Sequence, residues 1–167
     1  VYGQPGRGIM RISSNGGTPE AIVKTEKEVF VHPQILPDGK SVLFTQLPSP
    51  GKIVVQSIKS GERKELFAGD FARYLPTGHL VYGLGYNLFA VPFDLKTLNV
   101  AGGPVSVVEG ILRVTGPPKY AVSGSGTLVY LPGTSTSDTQ TNLVWVDRNG
   151  KEEPLAAPPN AYAFPRI

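Results

Sequence analysis

The chain has 167 residues, a length that suits one domain, and it contains 20 glycines, 16 prolines and no cysteine. The absence of cysteine excludes disulfides, thiolate zinc sites and a cysteine nucleophile, while the glycine and proline content favours turns over long helices. Sixteen basic residues against 13 acidic ones give a net charge of +3 without any basic block, so we expect no nucleic-acid partner. No apolar run has the roughly 18 residues of a membrane span, so we expect no membrane insertion in this segment.

A tight turn followed by a short strand occurs three times along the chain. The glycines that end these turns are Gly39, Gly78 and Gly126, which are 39 and 48 residues apart. A short strand that opens with a polar residue follows each turn, at 40–45, 79–83 and 127–130, and we expect apolar and polar residues to alternate along the strands of the chain. Because side chains point alternately to the two faces of a strand, this pattern predicts strands with one buried face.

Other strands are expected between and after these turn-and-strand pairs. One set is expected at 8–12, 52–58, 87–94 and 142–147, and a further set at 62–67, 105–109 and 152–156. Serine–glycine or asparagine–glycine turns follow three strands of the first set, and these residues accept the backbone angles of hairpins. No window free of glycine and proline shows the helical spacing of apolar residues, so no helix is predicted.

The strands group into units of four, each about 45 residues long, which is typical of propeller blades. We therefore predict an all-β fold, a β-propeller of four-stranded antiparallel blades, with about four blades' worth of sequence in the chain. The complete blades are expected at 26–70, 71–116 and 117–160. Residues 1–25 form a partial blade, which a first strand at 161–167 completes, either within the chain or between two chains.

These repeats resemble the TolB-like, WD40-like propeller repeats of bacteria, often called PD40. The resemblance rests on the Pro-Asp-Gly turn and strand at 37–45 and on the strand and Asn-Gly turn at 143–150, and it covers nearly the whole chain. Residues 72–82 and 88–94 are similar to the propeller region that follows the membrane segment in some bacterial Ser/Thr protein kinases. The resemblance implies a non-catalytic sensor or protein-interaction module on the periplasmic or extracellular side of a bacterial membrane.

Because the blade edges are open, we expect the chain to form a homo-oligomer, a dimer that completes a larger ring. Alternatively, the edges pair with the remainder of a longer propeller. Two other functions stay open. The chain is then either an accessory propeller that scaffolds or gates a hydrolase domain outside it, or an isolated repeat fragment that self-assembles. A kinase domain and membrane span upstream, or a Ser-His-Asp domain downstream, would distinguish the sensor from the accessory module.

Candidate catalytic groups are few. His32, Ser125 and Asp38 are the residue types of a nucleophilic triad, but the serine lacks the Gly-x-Ser-x-Gly turn that exposes a nucleophile. An aspartate in a turn caps its own loop. The glycines at 3–8 lie between two predicted strands rather than before a helix, as a phosphate loop requires. We expect no enzyme activity, no metal and no cofactor.

The repeat alignment brings polar and basic side chains to equivalent positions of the first strands. Gln34, Arg73 and Arg166 share one position, and His32 and Lys119 share the position two residues earlier. First strands line the axis of a propeller, so we predict ligand binding in an axial channel by His32, Gln34, Arg73, Lys119 and Arg166. Several cations in a concave space attract an anionic small molecule or a protein partner's carboxylate.

A second interpretation of these cations is structural. Alternate residues of the first strands would then lie between blades and pair with acids such as Asp70 or Asp38. Charged side chains at the mouth of a pore often only face solvent or form ion pairs with one another, without binding a ligand.

Overall fold

The computed structural model describes residues 1–48, 50–113, 116–133, 144–146 and 152–158. All regular elements in these ranges are β-strands, and the pairings between them are antiparallel. The chain forms two compact units, Val1–Thr134 and Ser135–Ile167. The prediction of an all-β class is confirmed, whereas the arrangement of the sheets as a propeller stays a prediction.

The first unit contains three sheets and a hairpin, which follow one another in sequence. The first sheet has the order β1 (Tyr2–Gln4), β2 (Gly8–Arg11), β3 (Glu20–Lys24). The second sheet has the order β4 (Phe30–Ile35), β5 (Ser41–Gln46), β6 (Lys52–Ser57), β7 (Arg63–Ala68). The third sheet contains β8 (Asp70–Leu75), β9 (His79–Leu84) and β10 (Asn87–Asp94) in that order, with β11 (Asn99–Val100) and β12 (Val105–Glu109) both paired to β10. The hairpin consists of β13 (Tyr120–Val122) and β14 (Leu128–Tyr130).

The second unit has one described hairpin, in which β15 (Val144–Val146) pairs with β16 (Glu152–Pro154). These strands fall within the segments predicted at 142–147 and 152–156. The strand predicted at 161–167, which would complete the partial blade, lies outside the described residues.

The central strands of the second sheet, β5 and β6, are buried on both faces, so the prediction of strands with one buried face is wrong for β5. Val42 and Phe44 pack with Ile9 of the first sheet, whereas Leu43 packs on the opposite side with Leu80 of the third sheet. A strand that lies between two sheets needs apolar side chains at consecutive positions. The apolar run in β5 therefore reflects its central place in the unit.

The first strands of the second and third sheets share one irregularity. His32 lies within a register shift between β4 and β5, and Phe71 lies within the corresponding shift between β8 and β9. Both residues have positive φ angles, 53° and 56°, in a region that few non-glycine residues adopt. Like the turn glycines Gly39 and Gly78, they are 39 residues apart. The repeat thus extends to the backbone conformation at this position.

A buried polar network joins the third sheet to its neighbours. Asp70 Oδ1 accepts a hydrogen bond from Gly51 N at 3.0 Å, and Asp70 Oδ2 accepts one from Arg113 Nη1 at 2.8 Å. Only 6% of the Asp70 side chain and 16% of the Arg113 side chain are exposed. Beside this pair, Phe71 N donates to the buried Thr45 Oγ1 at 2.9 Å. Groups from before and after β8 in the chain therefore fix the position of its first residues.

Gly51 is needed in this network because no side chain fits at its position. A Cβ there would lie 2.6 Å from Thr45 Cγ2 and 2.7 Å from Asp70 Oδ1, distances well inside van der Waals contact. The loop between β5 and β6 can therefore approach Asp70 only with a glycine.

We expect Asp70→Asn to destabilise the protein by about 3 kcal/mol, because it leaves the Arg113 guanidinium buried without a counter-charge. Glu20→Gln is the matched control, since it breaks an exposed pair in which Arg11 Nε donates to Glu20 Oε1 at 2.8 Å. That substitution should cost less than about 1 kcal/mol. Urea unfolding followed by circular dichroism measures both values, and equal losses would contradict a central role for Asp70.

Candidate functional site

A cavity of about 570 Å³ lies between the irregular positions of β4 and β8 and the β13–β14 hairpin. Its lining includes three of the predicted binding residues, His32, Arg73 and Lys119. Phe71 and Leu131 are among the apolar residues that form the rest of the wall. The structure thus brings together cations that lie on separate repeats of the sequence.

The two strongest bases of the cavity carry unpaired charges. Within the described part of the chain, neither Arg73 nor Lys119 forms an ion pair or a side-chain hydrogen bond, and both are exposed. Asp70 pairs with Arg113 instead. Asp38 Oδ1 accepts hydrogen bonds from the backbone N atoms of the two residues at positions 40 and 41. The acids considered as structural partners therefore leave both cations free.

His32 contributes an imidazole ring to the same wall. Its imidazole packs edge-on against Phe71, with ring centroids 3.9 Å apart and planes at 71°. Burial among these neighbours lowers the pKa of His32 below its ordinary value of 6.5, and the Arg73 guanidinium lowers this pKa further. This lowered pKa favours the neutral ring, and Arg73 and Lys119 supply the positive charge of the cavity.

Gln34 connects β4 to β8 through both polar atoms of its side chain. Its Oε1 accepts a hydrogen bond from Tyr74 N at 2.9 Å, and its Nε2 donates to Tyr74 O at 3.2 Å. Gln34 and Arg73 together line a smaller cavity of about 250 Å³. The Gln34 side chain therefore positions the strand that carries Arg73, and Arg73 borders both cavities.

Arg166, the fifth predicted residue, lies outside the described residues. The axial channel, which includes Arg166 by definition, stays a prediction.

Tyr120 is a residue of this site that the sequence analysis did not select. Its hydroxyl donates to Phe71 O at 2.6 Å, which attaches the β13–β14 hairpin to the start of β8. Burial raises the pKa of this hydroxyl far above its usual range, so it remains a donor. A signal was present in the repeat alignment, because the equivalent positions hold Pro33 and Ala72, whose side chains carry no donor.

The residues of the candidate nucleophilic triad have other partners. Ser125 Oγ lies 2.9 Å from Ser123 Oγ, and Asp38 caps its own turn, as predicted. Residues 3–8 connect β1 to β2 as a hairpin, in agreement with the interpretation of these glycines as a loop between strands. Among the residues that the structure describes, no group of three or more His, Asp or Glu could hold a metal ion.

Comparison with protein-family models, with curated proteins and with solved structures gave no match in any of the three. In the described ranges, no helix has the length and apolar character needed to cross a bilayer.

We expect the His32 pKa measured in the folded protein to lie below 6.5 and to rise in Arg73→Gln, because that substitution removes one of its two causes. The rise should be partial, since burial remains. The unfolded chain takes up this proton at a higher pH than the folded chain. The contribution of His32 to stability is therefore present above pH 6.5 and decreases as the pH falls toward the folded-state pKa.

The measurement is an NMR titration of the imidazole signals. The sequence contains only two histidines, so His79→Gln assigns the His32 signal. Arg7→Gln, which removes an exposed charge in the β1–β2 turn, is the control. If the His32 pKa is the same in Arg73→Gln as in the unsubstituted protein, the two side chains lie farther apart than described.

Proposed function

We propose that the chain is a non-catalytic, propeller-type binding module that takes an anionic ligand at the cavity bordered by His32, Arg73 and Lys119. One observation carries the proposal: two unpaired cations lie at the wall of a cavity of about 570 Å³, which is within the usual volume of small-molecule sites. An anion there would gain charge-assisted hydrogen bonds without first breaking an internal ion pair.

The propeller arrangement is supported by contacts between β4, β8 and β13, which are the first strands of the second sheet, the third sheet and the hairpin that follows. Gln34 of β4 hydrogen-bonds Tyr74 of β8, and Tyr120 of β13 hydrogen-bonds Phe71 of β8. First strands that lie side by side are what radial repetition of blades requires. The second sheet, with four antiparallel strands in sequence order, has the pattern of one blade.

The non-catalytic character is supported by how the candidate reactive groups are used. His32 packs against Phe71, and Asp38 caps a turn. A general base must reach the group from which it takes a proton, whereas the hydrogen bond of Ser125 is to Ser123. A binding role requires only exposed, unpaired cations, and Arg73 and Lys119 provide them.

The biological setting is proposed from the sequence resemblance alone. The kinase-linked PD40 repeats make the sensor or interaction region of a bacterial receptor-type kinase our first assignment, outside the cytoplasmic membrane. An accessory propeller beside a hydrolase domain is the second. Both use the same cavity, and the domains encoded on either side of this segment distinguish them.

We expect benzoate to bind the protein and benzamide, which has nearly the same shape without the charge, to bind at least about tenfold more weakly. Chemical-shift titration of the backbone amides measures both affinities and maps the site. Arg73→Gln should reduce benzoate binding by a similar factor, while Arg7→Gln should leave it unchanged. Equal binding of benzoate and benzamide, or none of either, would overturn the proposed anion site.

We further propose that the chain self-associates, because apolar side chains remain exposed along β12, where Val105 is 66% exposed and Val107 is 46% exposed. Such surface on an edge strand favours pairing with another chain. Light scattering across a concentration series should give a species near twice 17.8 kDa. A monomer at all concentrations would contradict the dimer and leave the binding proposal intact.

A further inference from the structure

The 570 Å³ cavity has an apolar wall as well as a charged one. Val129 and Leu131 belong to it and are 65% and 54% exposed. Phe71 and the rings of Pro117 and Pro118 line it as well. A ligand held only through its charge would leave these surfaces in water, whereas a ligand with an apolar body would cover them.

Several backbone N–H groups of this cavity cannot serve an anion. Pro117 and Pro118 have no backbone N–H, and Phe71 N already donates to Thr45 Oγ1. The backbone N–H groups of three further lining residues also have acceptors, namely those of Lys119, Tyr120 and Leu131. The cationic donors on this wall are therefore the side chains of Arg73 and Lys119, beside two neutral donors, the His32 imidazole and the Tyr130 hydroxyl.

This donor set matches a carboxylate better than a phosphate. A guanidinium can bind both oxygens of one carboxylate, and an ammonium adds a second cation beside it. A phosphate dianion needs more donors and loses more hydration beside apolar walls. Sites for it use clusters of backbone N–H groups, which are occupied at Phe71, Lys119, Tyr120 and Leu131 and missing at the two prolines.

We propose that the ligand is a small monocarboxylic acid with an apolar body, its carboxylate held by Arg73 and Lys119 and its body covering Phe71, Val129 and Leu131. This inference rests on the proposed anion site and adds the chemical class of the ligand.

The test is a series of carboxylates that differ only in the apolar part: acetate, butyrate and hexanoate, in which its length increases, and 3-phenylpropionate, in which it ends in a ring. Inorganic phosphate is measured for comparison. Backbone chemical-shift titration of the full chain measures each affinity. We expect the affinity to rise by up to about fourfold for each methylene that becomes buried, and we expect phosphate to bind more weakly than hexanoate.

Two variants separate the parts of the site. Leu131→Ser should flatten the dependence on chain length while acetate binding persists, and Ile12→Ser, at an exposed position outside the cavity, is its control. Lys119→Gln should weaken every carboxylate by a similar factor, with the exposed turn residue Lys59→Gln as its control. Circular dichroism establishes that each variant is folded.

The outcomes are distinguishable. Affinity that rises with chain length and depends on both Leu131 and Lys119 supports the inference. Affinity that is equal for acetate, hexanoate and phosphate but still depends on Lys119 overturns the inference and leaves the anion site standing. If no member of the series binds, both the inference and the proposed anion site fail.

Discussion

The buried carboxylate of Asp70 is the interaction on which the arrangement of the first unit depends. A charge in an apolar interior is tolerated only if hydrogen bonds and an opposite charge replace its water. Asp70 obtains these from Gly51, in the loop between β5 and β6, and from Arg113, beyond β12. The requirement to satisfy one carboxylate thus fixes the second sheet, the third sheet and the segment that leads into the β13–β14 hairpin relative to one another.

The candidate site follows from this constraint, because Phe71 is the next residue after Asp70. Its peptide is held on both sides, with its N–H donating to Thr45 and its C=O accepting from Tyr120. A positive φ at a residue of this size costs roughly 1 kcal/mol or more, and it persists only where surrounding contacts maintain it. Those contacts keep the Phe71 ring against His32 and set the wall of the cavity that Arg73 borders.

The turns and most strands could be predicted because their signals are local. The Asp38–Gly39 turn and the strand after it depend on residues within a few positions of each other. The partnership of Asp70 and Arg113 could not, because it joins residues 43 apart and Asp70 has no counterpart in the repeat, where the equivalent position is Val31. The clustering of basic residues followed from aligning the repeats. The two hydrogen bonds of the Gln34 side chain to the backbone of Tyr74 are visible only in three dimensions.

The burial of β5 and β6 on both faces has a consequence for how the first unit opens. Neither β5 nor β6 can detach without exposing the cluster around Phe44 and the cluster around Leu43 at once. Local fraying that exposes only one cluster is therefore confined to the outer sheets. The amide protons of these two strands should exchange with solvent only through cooperative opening of the whole unit, which makes them reporters of its global free energy.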